Sequence, residues 1–88
     1  MKMVVVSIKD TCADTFGRPA YVATEGVAIR QFQDEVNRPS EDNQLYRHPD
    51  DFHLYYLGLF DDVSGHFELL EIPKVIARAK EMMIKESV

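Results

Sequence analysis

Side chains able to bind a metal or transfer protons are concentrated in the second half of the chain. They comprise three histidines and two aspartate pairs: His48, His53, His66, Asp50-Asp51 and Asp61-Asp62. Metal sites and acid–base centres require such groups to converge at defined spacings. The sequence has no Cys-x-x-Cys, no His-Glu-x-x-His and no calcium-loop pattern. Aspartates near proline or glycine are typical of turns and helix starts, so we predict neither a metal nor another cofactor.

Covalent catalysis is no better supported by the remaining residues. Cys12 and Ser64 are nucleophiles in principle, but the sequence pairs neither with a base. The four glycines are scattered, which excludes a glycine-rich phosphate loop. We therefore predict that the chain is not an enzyme and has no small-molecule substrate.

Cations beside aromatic side chains are the pattern that binds single-stranded nucleic acid. The candidate contact residues are Arg18, Arg30, Arg38, Tyr46, Arg47 and His48. Residues 1–47 contain six Lys/Arg and seven Asp/Glu, a net charge of −1, whereas residues 48–88 contain four and eight, a net of −4. The total of −5 is unusual for a protein that binds phosphates, so a local patch is predicted. The alternative is that the arginines are simply solvated and the tyrosines pack at the core or its rim.

The elements that would position these residues predict a single α+β domain over residues 1–88, in the order β(β)αββα. Residues 3–8 are rich in valine and apolar on both faces, which favours a covered strand. A short second strand is expected at 20–23. Thr24 is a suitable N-cap for a helix whose apolar face carries Ala28, Ile29, Phe32 and Val36. The polar segment 38–47 is predicted to be a flexible loop, followed by one helical turn at 48–52.

A β-hairpin is the strongest local pattern. The apolar strands flank a turn that ends at Gly65, where a positive φ is accessible. The partners predicted on this register are Phe60 with Phe67 and Leu57 with Leu70. Strand alternation places Tyr55 and Tyr56 on opposite faces.

A final helix is predicted from Pro73, with an apolar stripe formed by Val75, Ile76, Ala79 and Met83. The resulting fold is a three- to four-stranded sheet, mixed or antiparallel, with two helices packed on it. Two helices are too few to cover both sheet faces, which favours a homodimer. The single cysteine fits a reducing compartment, and the apolar run at the start is too short for a signal peptide or membrane span.

Three stretches carry a family resemblance: Thr24–Phe32 (TEGVAIRQF), Arg47–Gly58 (RHPDDFHLYYLG) and Phe60–Gly65 (FDDVSG). Over residues 3–71 the chain resembles the small non-structural protein of gokushovirus-type microviruses, phages with circular single-stranded DNA. The resemblance implies a protein made in infected bacteria and absent from the virion. It also implies DNA binding, or a role in switching replication to single-strand synthesis, and it supplies no catalytic residues.

Two functions follow as hypotheses. The first is a phage accessory protein in the host cytoplasm that promotes or regulates single-stranded genome synthesis, through single-stranded DNA, a replication protein or both. The second is a protein–protein adaptor that makes no contact with nucleic acid.

Overall fold

One antiparallel sheet organises the molecule, for which the computed structural model describes residues 1–84. Its strands are β1 (Lys2–Asp10), β2 (Thr15–Phe16), β3 (Ala20–Val22), β4 (Phe52–Asp61) and β5 (Phe67–Arg78). β4 lies between β1 and β5, and β2 and β3 pair with successive parts of the other edge of β1. The predicted α+β class with an antiparallel sheet is confirmed. The strand count is five because two short strands share one edge.

Helix α1 (Glu25–Val36) covers one face of this sheet. Thr24 caps it as predicted, since its Oγ1 accepts a hydrogen bond from the Val27 amide at 3.2 Å. The core joins buried residues of α1 to residues from β1, β3, β4 and β5: Val4, Val6, Val22, Ala28, Phe32, Val36, Leu54 and Ala77. The apolar face expected for this helix is therefore the face that the sheet buries.

The segment predicted to be a flexible loop contains a short helix, α2 (Gln44–Arg47), followed by a 3₁₀ turn at Pro49–Asp51. Asn43 fixes it in place and is only 3% exposed. Its Nδ2 donates to the carbonyls of Glu35 and Arg38 at 2.7 and 2.9 Å, and its Oδ1 accepts from the amides of Leu45 and Tyr46 in α2. The sequence missed this anchor because an asparagine in a polar stretch looks like any turn residue.

The hairpin turn forms as predicted. The Asp61 amide donates to the His66 carbonyl at 2.9 Å, and Gly65 has a φ of 77°. Amides of Val63 and Ser64 donate to the Asp61 carboxylate and lower its pKa. This turn sets the register of the first strand pairs.

The predicted strand pairing is correct near the turn and wrong farther from it. Phe60 does pair with Phe67, but Leu57 has no partner on β5 because the register shifts between Tyr56 and Gly58. The expected pairing of Leu57 with Leu70 assumed an uninterrupted ladder, which a β-bulge breaks here.

The predicted final helix from Pro73 is wrong. β5 continues through Pro73 to Arg78, and α3 comprises only Ala79–Met82. Proline is tolerated because β5 is an edge strand, where its missing N–H can face solvent. A bulge between Val75 and Ala77 lets both Ile76 and Ala77 contact the core, which produces the spacing that resembled a helical stripe.

Replacing Asn43 by alanine is expected to lower the free energy of unfolding by about 2–4 kcal/mol, because two backbone carbonyls and two helix-start amides lose the partner that the buried Asn43 side chain provides. Urea denaturation measures the change. Ser40→Ala is the matched control, since Ser40 accepts only one long bond of 3.3 Å from Asp42. Equal stability of the two variants would show that Asn43 is not an anchor.

Candidate nucleic-acid interface

The sheet face opposite α1 carries an extended group of aromatic side chains. Val4 and Val6 of β1 and Leu54 of β4 pack with the helices on one face, and the strand registers assign the intervening residues, including the buried Val5, to the other, here called the open face. Its aromatic residues, drawn from every strand except β1, are Phe16, Tyr21, Tyr55, Phe60 and Phe67. These residues are distant in sequence, so the sheet is what brings them together.

The rings form two contact groups. Phe16 meets Tyr55 edge to face, with ring centroids 5.1 Å apart. Phe60 contacts both Tyr21 and Phe67, at 5.7 and 4.8 Å. Phe16, Tyr21 and Phe67 nevertheless remain 44%, 46% and 50% exposed. Mutual contact holds the rings in place while their outer surfaces stay available for stacking.

Cations accompany the aromatic rings on this face. Lys9 places its Nζ 5.3 Å from the Phe16 centroid and 6.0 Å from that of Tyr55, within cation–π range. Arg78 pairs with His53 across β5 and β4 and so lies on the same face. Lys9 also forms an ion pair of 3.1 Å with Asp14, which belongs to the exposed β1–β2 turn.

Carboxylates are absent from the paired strand positions of the open face. Apart from its aromatic rings and cations, these positions hold Met3, Val5, Ser7, Gly58, Leu69 and Val75. The acidic strand residues Glu68 and Asp61 pair with positions on the helix-covered face. The strand register thus keeps these carboxylates off the open face, although the net charge of the protein is −5. The open face is therefore suited to contact with phosphate.

A β-bulge at Gly58 places Tyr55 and Phe60 on the same face of the sheet. Strict alternation along β4 would direct Tyr55 and Phe60, five positions apart, to opposite faces. Leu57 is instead an extra residue between the pairs Val6–Tyr56 and Val5–Gly58, so the alternation resets. Gly58 has a φ of 148°, and a Cβ there would overlap the carbonyl oxygen of Glu68.

The residues predicted from the sequence to bind nucleic acid lie elsewhere. Arg18 is in the β2–β3 loop beside a cleft of about 300 Å³ under α1, and Arg30 is exposed on α1. Tyr46, Arg47 and His48 form α2 and its C-cap, next to Arg38 through the Asn43 anchor. Arg38 is therefore close to Tyr46, Arg47 and His48, but Arg18 and Arg30 are not part of this group. None of the six predicted residues occupies a paired position of the open face.

Two of the predicted arginines already have partners. The Arg38 guanidinium binds both carboxylate oxygens of Glu35 and lowers the pKa of that carboxyl. Arg47 donates to the Glu41 carbonyl at 3.3 Å. Residues 34–42 include four carboxylates, so the positive charge here is locally compensated. The open face is the better candidate for a nucleic-acid interface.

Comparison with known proteins agrees with the sequence resemblance. The profile of the Phage ORF5 protein family matches residues 3–82. The chain belongs to this family. The ORF5-family protein is 36% identical over 69 residues to Protein ORF5 of Chlamydia phage 1, covering 76% of this chain and 72% of that protein. No solved structure matches the ORF5-family protein.

The family match confirms the resemblance to a small microvirus protein, and the ORF5-family protein is therefore a phage protein. The matched region extends beyond residue 71 and includes the rest of β5 and α3, which the sequence resemblance had left out. Within residues 1–84 no helix has the length and apolar character needed to cross a lipid bilayer.

Gly58→Ala is expected to lower the free energy of unfolding by about 2–4 kcal/mol, because a side chain there is strained and meets the backbone of β5. Gly26→Ala is the matched control: Gly26 lies in α1, where a Cβ would make only an ordinary contact of 3.9 Å with Thr24 Oγ1, and alanine should stabilise by up to about 1 kcal/mol. Chemical denaturation of both variants provides the measurement. A tolerated alanine at position 58 would contradict the bulge geometry.

Proposed function

We propose that this ORF5-family phage protein is a non-structural accessory factor of viral DNA replication that binds single-stranded DNA on its open face. In the cytoplasm of the infected bacterium it promotes or regulates synthesis of the single-stranded genome. The observation that supports this most directly is the group of exposed aromatic rings with neighbouring cations and without carboxylates at the paired strand positions of that face.

A surface of this kind is better suited to binding single-stranded DNA than duplex DNA. Open sheet faces with aromatic side chains stack unpaired bases, and each stacked base contributes about 1–3 kcal/mol. Duplex DNA hides its base faces and offers mainly phosphates, which the chain's net charge of −5 repels as a whole. A few local cations are therefore sufficient to position the strand, while stacking supplies most of the affinity.

A protein partner is the second candidate. Exposed apolar residues are numerous in the hairpin, including Val63 at 85%, Leu69 at 60% and Ile72 at 78%. An acidic protein with such a surface also suits an adaptor that engages a replication protein. Pull-down from infected cells after nuclease digestion tests this candidate. Loss of all partners on DNA digestion would count against the adaptor.

Phe16→Ala is expected to weaken binding of a labelled oligothymidine by about tenfold, because one stacking surface is removed. Fluorescence anisotropy at low salt provides the measurement. Tyr46→Ala is the matched control, since Tyr46 is 39% exposed on α2 and belongs to the patch predicted from the sequence. If Tyr46→Ala is the damaging variant and Phe16→Ala is not, the interface lies on the helical side.

Substitutions at Lys9 and Asp14 give a second test, because the two variants should change DNA binding in opposite directions. Lys9→Gln should lower the magnitude of the slope of log affinity against log salt by roughly 0.7, because one phosphate contact is lost. Asp14→Asn should strengthen binding severalfold, because the carboxylate that competes with phosphate for Lys9 is removed. Arg47→Gln serves as the control. Binding that is independent of salt in the wild-type protein would exclude phosphate contacts.

A further inference from the structure

One end of the open face carries a row of basic side chains on three neighbouring strands. Lys9 of β1 pairs with His53 of β4, and His53 in turn pairs with Arg78 of β5. Residues directly opposite each other in an antiparallel sheet have adjacent side chains on the same face. Phe16 of β2 pairs with Lys9 and continues the row on a fourth strand. Lys9, His53 and Arg78, here called the basic row, therefore stand side by side across the sheet.

The basic row is confined to one end of the open face. At the paired strand positions of residues 1–84, this face has no other basic residue. The aromatic group around Phe60 lies at the opposite end, where Met3 and Phe67 are its paired neighbours. Neighbouring strands are about 4.8 Å apart, so the backbones of Lys9 and Arg78 are separated by about 10 Å. Phosphate contacts on the open face are therefore concentrated along this row.

Aromatic rings lie directly beside the basic row. The ring centroid of Tyr55 is 6.5 Å from that of His53, and Phe16 packs against Tyr55. Lys9 Nζ lies within cation–π range of both aromatic rings. Proteins that bind single strands combine cations that follow the backbone with rings that stack the bases. A strand that crosses the sheet along the row can place its phosphates on the basic side chains and its bases on Phe16 and Tyr55.

His53 is the member of the row that can respond to pH. Histidine is the residue type whose charge changes near neutral pH, and His53 is partly buried between the cations Lys9 and Arg78. No ion pair within residues 1–84 joins His53 to a carboxylate. The charged residues of the surrounding elements are Lys9, Arg78, Asp14, Asp50 and Asp51. Of these carboxylates, Asp14 is paired with Lys9 and Asp50 with Lys80.

We propose that the basic row binds the phosphates of single-stranded DNA and that His53 takes up a proton as the strand binds. This inference rests on the proposed function and adds its dependence on pH. A phosphate bound between Lys9 and Arg78 places negative charge beside the imidazole, and a nearby opposite charge stabilises the protonated form. The protonated ring has two N–H donors in place of one, so it can bind neighbouring phosphate oxygens. Because binding consumes a proton, the affinity for DNA falls as the pH rises.

Fluorescence anisotropy with a labelled oligothymidine at constant ionic strength tests the proton linkage. The wild-type protein should bind about fivefold more tightly at about pH 6 than at about pH 8, which is the effect of one added exposed ion pair. His53→Gln keeps a polar side chain that cannot become charged, so its affinity should be the same at both pH values. Near-ultraviolet circular dichroism verifies that the variant is folded.

The double variant H48Q/H66Q is the matched control. His48 caps α2 and His66 ends the hairpin turn, so both histidines lie outside the paired strand positions of the open face. The double variant should therefore retain the wild-type dependence on pH. A wild-type affinity that does not change with pH, or a His53→Gln variant that keeps the wild-type dependence, would overturn the proposal.

Isothermal titration calorimetry near neutral pH measures the proton directly. The binding enthalpy of the wild-type protein should vary with the ionisation enthalpy of the buffer, whereas that of His53→Gln should not. Arg78→Gln should lower the magnitude of the slope of log affinity against log salt by roughly 0.7, because one phosphate contact is lost. Phe67→Ala, at the other end of the face, should weaken binding and leave that slope unchanged. A salt slope that Arg78→Gln leaves at the wild-type value would overturn the assignment of the row.

A titration with inorganic pyrophosphate, followed by nuclear magnetic resonance of the imidazole signals, keeps the two proposals separate. The signals of His53 should shift, and those of His48 should not. This shift without any binding of oligothymidine would refute the proposed function and leave a phosphate site at the basic row. Binding of oligothymidine that is independent of pH would leave the proposed function standing and refute the proton linkage.

Discussion

The bulge at Gly58 is the constraint on which the surface of this protein depends. By adding one residue to β4 opposite β1, it resets the alternation of side chains and turns Tyr55 and Phe60 to the same face. The φ of 148° at Gly58 and its close approach to the β5 backbone restrict this position to glycine. Without the bulge, the aromatic residues would be divided between the core and the open face, and neither surface would be continuous.

Charge segregation explains how an acidic protein can offer a site for an anionic polymer. The carboxylates at paired strand positions lie on the helix-covered face, and the cations Lys9 and Arg78 share the open face with the rings. Asp14 partly neutralises Lys9, so a phosphate must displace it. Such a site binds by local contacts of moderate strength and does not attract DNA from a distance, because the long-range field of the protein is negative.

The features of the fold that depend on neighbouring residues could be predicted from the sequence. The features that depend on pairing between distant strands could not. The Thr24 cap and the turn that aligns Phe60 with Phe67 depend on a few neighbouring residues, so their patterns are readable in the sequence. The strand after Pro73 looked helical because its bulge mimics helical spacing, and only pairing with β4 decides between the two. The open face was missed for a related reason: its residues converge only once the register break at Gly58 is known.

The distribution of tyrosines between the two faces has an optical consequence. The chain contains four tyrosines and no tryptophan, so its intrinsic emission comes from tyrosine alone. Tyr21 and Tyr55 lie on the open face, whereas Tyr56 packs against the core and Tyr46 belongs to α2. Quenching confined to about half of the emission would therefore show that an added molecule has reached one of these two tyrosine pairs and not the other, without any label on the protein.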